Sequence, residues 1–122
     1  MANTAVVPEW KSITTDFETT TGKSLELEFE NGPDGWMGFR VSIDQVFIGS
    51  FGTIYPGGNV ERLVQLANDL TAGFLGEVVG AGWPMCPVHA THPLNATVDA
   101  SHRAVWKCPS GRVVAEIGEL TA

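Results

Sequence analysis

Both cysteines and all three histidines of the chain lie within one short stretch, residues 83–108. Two residues separate Cys86 from His89, two more separate His89 from His92, and fifteen separate His92 from Cys108. Zinc usually takes four thiolate and imidazole ligands in a tetrahedron, and small folds supply them in close pairs on tight turns. The spacing therefore predicts a structural zinc site with Cys86, His89, His92 and Cys108 as its ligands.

The fourth ligand has two candidates. His92 fits by its spacing and is our choice, whereas His102 lies where an exposed hairpin loop would also carry a histidine. The cysteines have two other interpretations. They are free buried thiols, which behave as small hydrophobic groups, or they form a disulfide, which the absence of an export signal disfavours.

The two cysteines each begin a Cys-Pro turn, Cys86-Pro87-x-His89 and Cys108-Pro109-Ser110-Gly111, with Gly111 where a left-handed turn would need it. Two such turns flanking an expected β-hairpin resemble a zinc ribbon over residues 83–117. The resemblance implies a structural site rather than a reaction. A regular zinc ribbon has two ligands on each turn, and here the second turn has only Cys108. The pattern Cys-Pro-x-His, His-Pro-Leu, Trp-x-Cys-Pro, Ile-Gly-x-Leu is also similar to one in small uncharacterised bacterial proteins, which implies no activity.

We predict no catalytic residues. The His-Glu-x-x-His arrangement and the His-x-Glu with Cys-x-x-Cys signature of base deaminases are absent. Asp99, Ser101 and His102 are neighbours in one short loop, where they cannot form a relay of hydrogen bonds in line. One alternative stays open. If His92 does not bind, the other three ligands leave an open coordination position, as in a small zinc-dependent hydrolase or deaminase.

Composition and charge limit the function classes. The chain has 122 residues, 43% of them hydrophobic and 17% charged, which is typical of one folded domain. No apolar run reaches the length of a membrane helix. The net charge is −7, and residues 1–58 carry eight acidic residues against three basic ones. Scarce Lys and Arg make nucleic-acid binding an unfavoured function, and an acidic surface suits a larger, basic protein partner. The N-terminal residues lack the features of a signal peptide, so we expect a cytoplasmic protein.

Hydrophobic periodicity predicts the elements that position the cysteines and histidines. Helical spacing predicts helices over 8–21 and 60–79, with Asn59 as the N-cap of the second. Alternation predicts strands over 25–30, 36–44, 94–98 and 103–107, and an apolar run predicts a strand over 113–117. Residues 46–55 are apolar on both faces and form either one buried strand with a bulge or two short strands with a turn between them. Glu26, Glu28 and Glu30 should line the outer face of the first strand. The long second helix should cover the inner face of the N-terminal sheet.

The expected fold is therefore α+β, a single domain over residues 1–122. An antiparallel sheet of three or four strands packed by one long helix forms an αβ part, residues 1–80. A zinc-ribbon-like hairpin forms a metal-knuckle part, residues 81–122, which Trp83 and Trp106 should pack against the helix. The predicted function is that of a small acidic accessory protein that acts through protein–protein interaction, of the immunity, adaptor, inhibitor or phage-assembly type.

Overall fold

The fold consists of two helices and two three-stranded antiparallel sheets, which confirms the α+β class. A computed structural model describes residues 10–31, 37–52, 58–75, 82–89 and 92–121. The elements in chain order are α1 (Trp10–Thr21), β1 (Leu25–Asn31), β2 (Met37–Ile43), β3 (Val46–Gly52), α2 (Asn59–Leu70) with a π-helical turn (Thr71–Leu75), β4 (Asn95–Val98), β5 (Ala104–Lys107) and β6 (Val113–Glu116). Among the described residues, no helix is long and apolar enough to cross a membrane.

The N-terminal sheet has the order β1-β2-β3 and follows the predicted alternation. Leu27 pairs with Val41 and both are buried, because side chains of paired residues lie on the same face. On the outer face of the sheet, the Arg40 Nε lies 3.8 Å from the Glu28 Oε1. Asp44 and Gln45 have φ values of 50° and 69°, as a two-residue turn of the mirror-image type requires between two strands. Of residues 46–55, Val46–Gly52 form a single strand, and residues 53–57 are not among those described.

The C-terminal sheet has the order β4-β5-β6. The sequence predicts a two-stranded hairpin and a last strand over 113–117 without specifying its pairing, and all three strands pair in one sheet. The loop from β4 to β5 is organised by Asp99, whose carboxylate accepts the backbone N–H groups of Ser101 and Arg103. The pKa of Asp99 lies below its ordinary value, chiefly because of the Arg103 backbone N–H and then the Arg103 guanidinium.

The second helix differs from the prediction in three respects. The α-helix ends at Leu70 and continues as a π-helical turn, and residues 76–79 of the predicted helix fall outside the described ranges. Its N-cap is Gly58 rather than Asn59, and the Glu61 carboxylate accepts the Gly58 N–H at 3.1 Å. Finally, α2 packs mainly on β4 and β5 of the C-terminal sheet, while α1 packs on β1.

The side chain of Asn68 joins α2 to the C-terminal sheet. The Asn68 amide donates to the Ala96 carbonyl at 3.0 Å and accepts the Ala96 N–H at 3.1 Å. An amide group reproduces in this way the two hydrogen bonds that a neighbouring strand would make. The side chain of Asn68 therefore closes the outer edge of β4, which would otherwise have unpaired backbone groups.

Candidate metal centre

The structure brings together the four residues that the spacing singled out as metal ligands. The ligand atoms of Cys86, His89, His92 and Cys108 all lie within 4.8 Å of one another. His102, the other candidate, lies apart from them. Its side chain is 65% exposed, and its Nε2 is 3.3 Å from an Oε2 atom of Glu61.

Three sulfur–nitrogen distances define the cluster. The Cys86 Sγ lies 3.6 Å from His89 Nδ1, and the Cys108 Sγ lies 3.2 Å from His89 Nδ1 and 3.1 Å from His92 Nε2. The two imidazoles therefore present different nitrogens to the same space. Both cysteines are buried and free, and neither is part of a disulfide. The disulfide interpretation of the sequence is thus not realised.

The first ligand loop is held closed by its own backbone. The Cys86 N–H donates to the His92 carbonyl at 3.1 Å, and the Leu94 N–H donates to the Pro84 carbonyl at 2.6 Å. Met85 and Pro93 form an isolated antiparallel bridge between these two bonds. The two arms of the loop therefore run antiparallel, which places Cys86 and His92 side by side although His89 lies between them in the sequence.

The second ligand loop is the turn from β5 to β6. The Cys108 N–H donates to the Arg112 carbonyl at 2.7 Å, and the Gly111 N–H donates to the Cys108 carbonyl at 2.8 Å. Gly111 has a φ of 104°, in the left-handed region that the sequence predicts for this glycine. The turn fixes the Cys108 backbone at the end of β5 and directs its sulfur toward the first ligand loop.

Electrostatics favour the thiolate form of Cys108. Its pKa is lowered from 9.0 to about 5, first by the Ser110 hydroxyl, which donates to Sγ at 3.1 Å, and then by the His92 and His89 imidazoles. A thiolate is the form of cysteine that binds a metal ion. The Ser110 hydroxyl is thus a further partner of the site, acting through the sulfur rather than on the ion.

Two tryptophans connect the ligand loops to α1. Trp83 packs edge-on against Phe17, with ring centroids 5.3 Å apart, and against Trp106, with centroids 5.6 Å apart. The Trp83 indole N–H donates to the Thr20 hydroxyl at 2.9 Å. Since Trp83 precedes Cys86 by three residues and Trp106 precedes Cys108 by two, α1 holds both ligand loops close to their cysteines.

Asp16 is the central polar residue of this contact, and its role was not predicted from the sequence. Its fully buried carboxylate accepts the Trp106 indole N–H at 2.7 Å and the backbone N–H groups of Gly118 and Leu120 at 2.6 and 2.9 Å. The available signal was its position three residues after Ile13 and one before Phe17, on the apolar face of the predicted helix. A carboxylate there needs several donors, because a buried charge without hydrogen bonds is costly.

The cluster has the chemistry of a metal site. Thiolates and imidazoles together suit late first-row transition metals. Among the described residues, no carboxylate belongs to the cluster. Two sulfurs and two nitrogens, supplied by two backbone-fixed loops, can bind one metal ion in a four-coordinate site.

Comparison with known proteins adds no further information. No protein-family model matches the chain, and no curated protein or solved structure matches it at a significant level.

Proposed function

We propose that the protein is a non-catalytic interaction module whose Cys86, His89, His92 and Cys108 bind one structural Zn²⁺. The convergence of four protein donors from two loops on one point is the observation that carries this proposal. A tetrahedral Zn²⁺ with bonds of about 2.3 Å to sulfur and about 2.05 Å to nitrogen has sulfur–nitrogen edges of about 3.6 Å. The measured distances of 3.1, 3.2 and 3.6 Å lie within about half an ångström of that value.

The donor count supports a structural role for the ion. A structural zinc site has four protein ligands, whereas a catalytic one keeps a position for water or substrate. The position of His92 in the cluster favours the closed site over the open three-ligand site of a hydrolase or deaminase. The cluster also offers no carboxylate that could serve as a general base for an ion-bound water, as far as the chain is described.

The zinc would link two loops of the C-terminal half of the chain. It would join the loop that carries Cys86 to the turn that carries Cys108, which are twenty-two residues apart in the sequence. A cross-link of this kind stabilises a small domain because metal binding contributes directly to the free energy of folding. The resemblance of residues 83–117 to a zinc ribbon also implies a structural ion and is part of the same proposal.

The interaction role rests on charge. A net charge of −7 favours a larger and basic protein partner over nucleic acid. An accessory protein of the immunity, adaptor, inhibitor or phage-assembly type would combine such a surface with a site that performs no chemistry.

Two measurements test the proposal. Native mass spectrometry of protein purified without added metal should show one zinc per chain, which a chelator removes. His92→Ala should lower the zinc affinity by about 100-fold or more, since losing even an outer-shell partner costs 10–100-fold. His102→Ala is the matched control and should leave the affinity unchanged, because His102 pairs with Glu61. A chain that purifies without metal would contradict the proposal.

Cobalt substitution separates the closed site from the open one. The visible spectrum of the Co²⁺ protein should be that of a four-coordinate site with two sulfur ligands, and added azide should not change it. The same anion should change the spectrum of the His92→Ala variant, in which one position is open. An azide response in the unmodified protein would favour the hydrolase or deaminase alternative.

A further inference from the structure

A groove runs beside the metal centre, along the outer edge of β6. Its volume is ≈ 560 Å³, within the range of about 300–1,000 Å³ that ligand sites have. Trp83, Pro84, Met85 and Pro87 of the first ligand loop form one wall, and the end of α1 and residues 119–121 contribute to the rest. Among the described residues that line it, Glu119 is the only charged one.

Two successive residues of β6, an end strand of its sheet, line the groove: Val114 and Ala115. Val114 is the extra residue of a β-bulge in the pairing with β5, where the usual alternation of side chains between the two faces is interrupted. The strand order places β6 at the end of the C-terminal sheet, so the outer edge of β6 has no strand beside it among the described residues.

The opposite edge of the same sheet provides a comparison. There Asn68 of α2 satisfies the backbone of Ala96 in β4 with two hydrogen bonds. Proteins usually cover or blunt sheet edges, because exposed N–H and C=O groups are a template for another strand. In this sheet one edge is covered, and the other opens into an apolar groove.

We infer that an extended segment of a partner protein binds here as a fourth strand beside β6, with an apolar side chain in the groove and a Lys or Arg next to Glu119. Main-chain hydrogen bonds to the strand edge would supply affinity, and the groove would supply specificity. The Glu119 side chain has no ion-pair partner in the described part of the chain, and no basic residue lines the groove. The overall charge of −7 adds to the preference for a cationic segment and acts against a second copy of this chain.

This inference rests on the proposed function, because it assigns the interaction to one surface. It also gives the metal ion a role there. Met85 and Pro87 flank Cys86 and line the groove, so an ion bound at Cys86 would fix the wall against which the segment packs. The other wall is fixed by Asp16, which accepts the Leu120 N–H.

Selection from a random dodecapeptide library on the zinc-loaded full chain tests the inference. The enriched peptides should share an aromatic or aliphatic residue with a Lys or Arg within about three positions. For a selected peptide, Glu119→Lys should weaken binding about tenfold or more, measured by fluorescence anisotropy. Glu26→Lys is the matched control. It reverses the same charge at an exposed site on β1 and should change the affinity less than about twofold.

Backbone methylation of the peptide tests the strand geometry. Methylating successive amide nitrogens should abolish binding at every second position, because alternate residues of an added strand direct their N–H groups to the neighbouring strand. Chelation should also weaken the binding, since it frees the loop of Met85 and Pro87.

Three results would overturn the inference. They are a selection without an enriched motif, an affinity that neither Glu119→Lys nor amide methylation changes, and a dimer of the free chain, detected by sedimentation, that the peptide dissociates. None of them alters the zinc content, which native mass spectrometry measures on the same samples. Failure of the proposed peptide binding can therefore be distinguished from failure of the proposed zinc site.

Discussion

Removing the Asp16 carboxylate should strongly destabilise the protein. The side chain is fully buried and accepts three N–H groups, one from the Trp106 indole and two from the C-terminal segment at Gly118 and Leu120. These donors are 90, 102 and 104 residues away in the sequence. Asp16→Ala leaves all three without their acceptor and removes the polar link between α1 and the C-terminal part of the chain.

The size of the effect follows from the burial of the donors. Trp106 is fully buried, and a buried donor left unpaired costs about 1–3 kcal/mol. Gly118 and Leu120 are half-buried, so water can partly replace the carboxylate, and we assign about 1 kcal/mol to each. The expected loss for Asp16→Ala is about 3–5 kcal/mol, from a total stability of roughly 6–18 kcal/mol for a domain of this length.

Asp16→Asn tests the contribution of a single acceptor oxygen, because asparagine keeps the size of the side chain but has only one oxygen. Trp106 and Gly118 both donate to Oδ2, whereas Leu120 donates to Oδ1. An asparagine with its carbonyl at the Oδ2 position keeps two bonds and presents its amino group to the Leu120 N–H. The loss should therefore be smaller, about 1–2 kcal/mol.

Urea denaturation of zinc-saturated protein, followed by tryptophan fluorescence, measures both losses as shifts of the midpoint at constant slope. Glu26→Ala, at an exposed position of β1, is the control and should stay within about 0.5 kcal/mol of the unmodified chain. The reasoning fails if Asp16→Ala costs less than about 1 kcal/mol, or if the asparagine variant is as unstable as the alanine variant.

Two further predictions concern other contacts. Asn68→Ala removes both hydrogen bonds to Ala96 and should cost about 1–2 kcal/mol of stability in the same assay, after allowing for the better helix propensity of alanine. The control Asn95→Ala, at an exposed position of β4, should cost less than about 0.5 kcal/mol. Equal losses for the two variants would contradict the role of Asn68 at the edge of β4. In the metal-free protein, the thiolate absorbance of Cys108 should be lost as the pH falls through about 5, and Ser110→Ala should raise that midpoint because the hydroxyl donor is the largest cause of the lowered pKa. Because the folded pKa lies below the ordinary 9.0, the stabilisation linked to this thiolate is complete above pH 9.0 and is lost as the pH falls through the folded value. A midpoint that Ser110→Ala does not move would refute the assignment.

Local patterns in the sequence predicted the local structure. The alternation of Leu25 and Leu27 with glutamates placed β1 correctly, because the two-residue period of a strand is set by each residue and its neighbours. The positive φ of Gly111 was predictable for the same reason, since a tight turn after Cys108 needs it. The proximity of the four cysteine and histidine side chains followed from their chemistry and spacing.

The long-range arrangement was not predictable from these patterns. Whether β6 joins β4 and β5 depends on backbone pairing that its apolar run does not specify. The apolar stripe of α2 fits either sheet, and the choice is made by contacts such as that of Asn68 with Ala96, twenty-eight residues away. The role of Asp16 was hidden for the same reason, because its donors lie at the other end of the chain.

The candidate metal centre and α1 both contact the same two segments, the first ligand loop and the end of β5. In the first ligand loop, Trp83 is bound by Thr20 of α1 and Cys86 belongs to the cluster. In β5, Trp106 is bound by Asp16, and Cys108 follows two residues later. Each segment is thus fixed at two points, one by α1 and one by the proposed ion. Two fixed points set the direction of a segment, whereas one would leave it free to rotate.

The groove beside β6 lies between these points, since Trp83 and Met85 form one wall and Leu120 contributes to the other. Its shape should therefore depend on both contacts, so the proposed ion would be structural and would still affect the proposed binding of a partner.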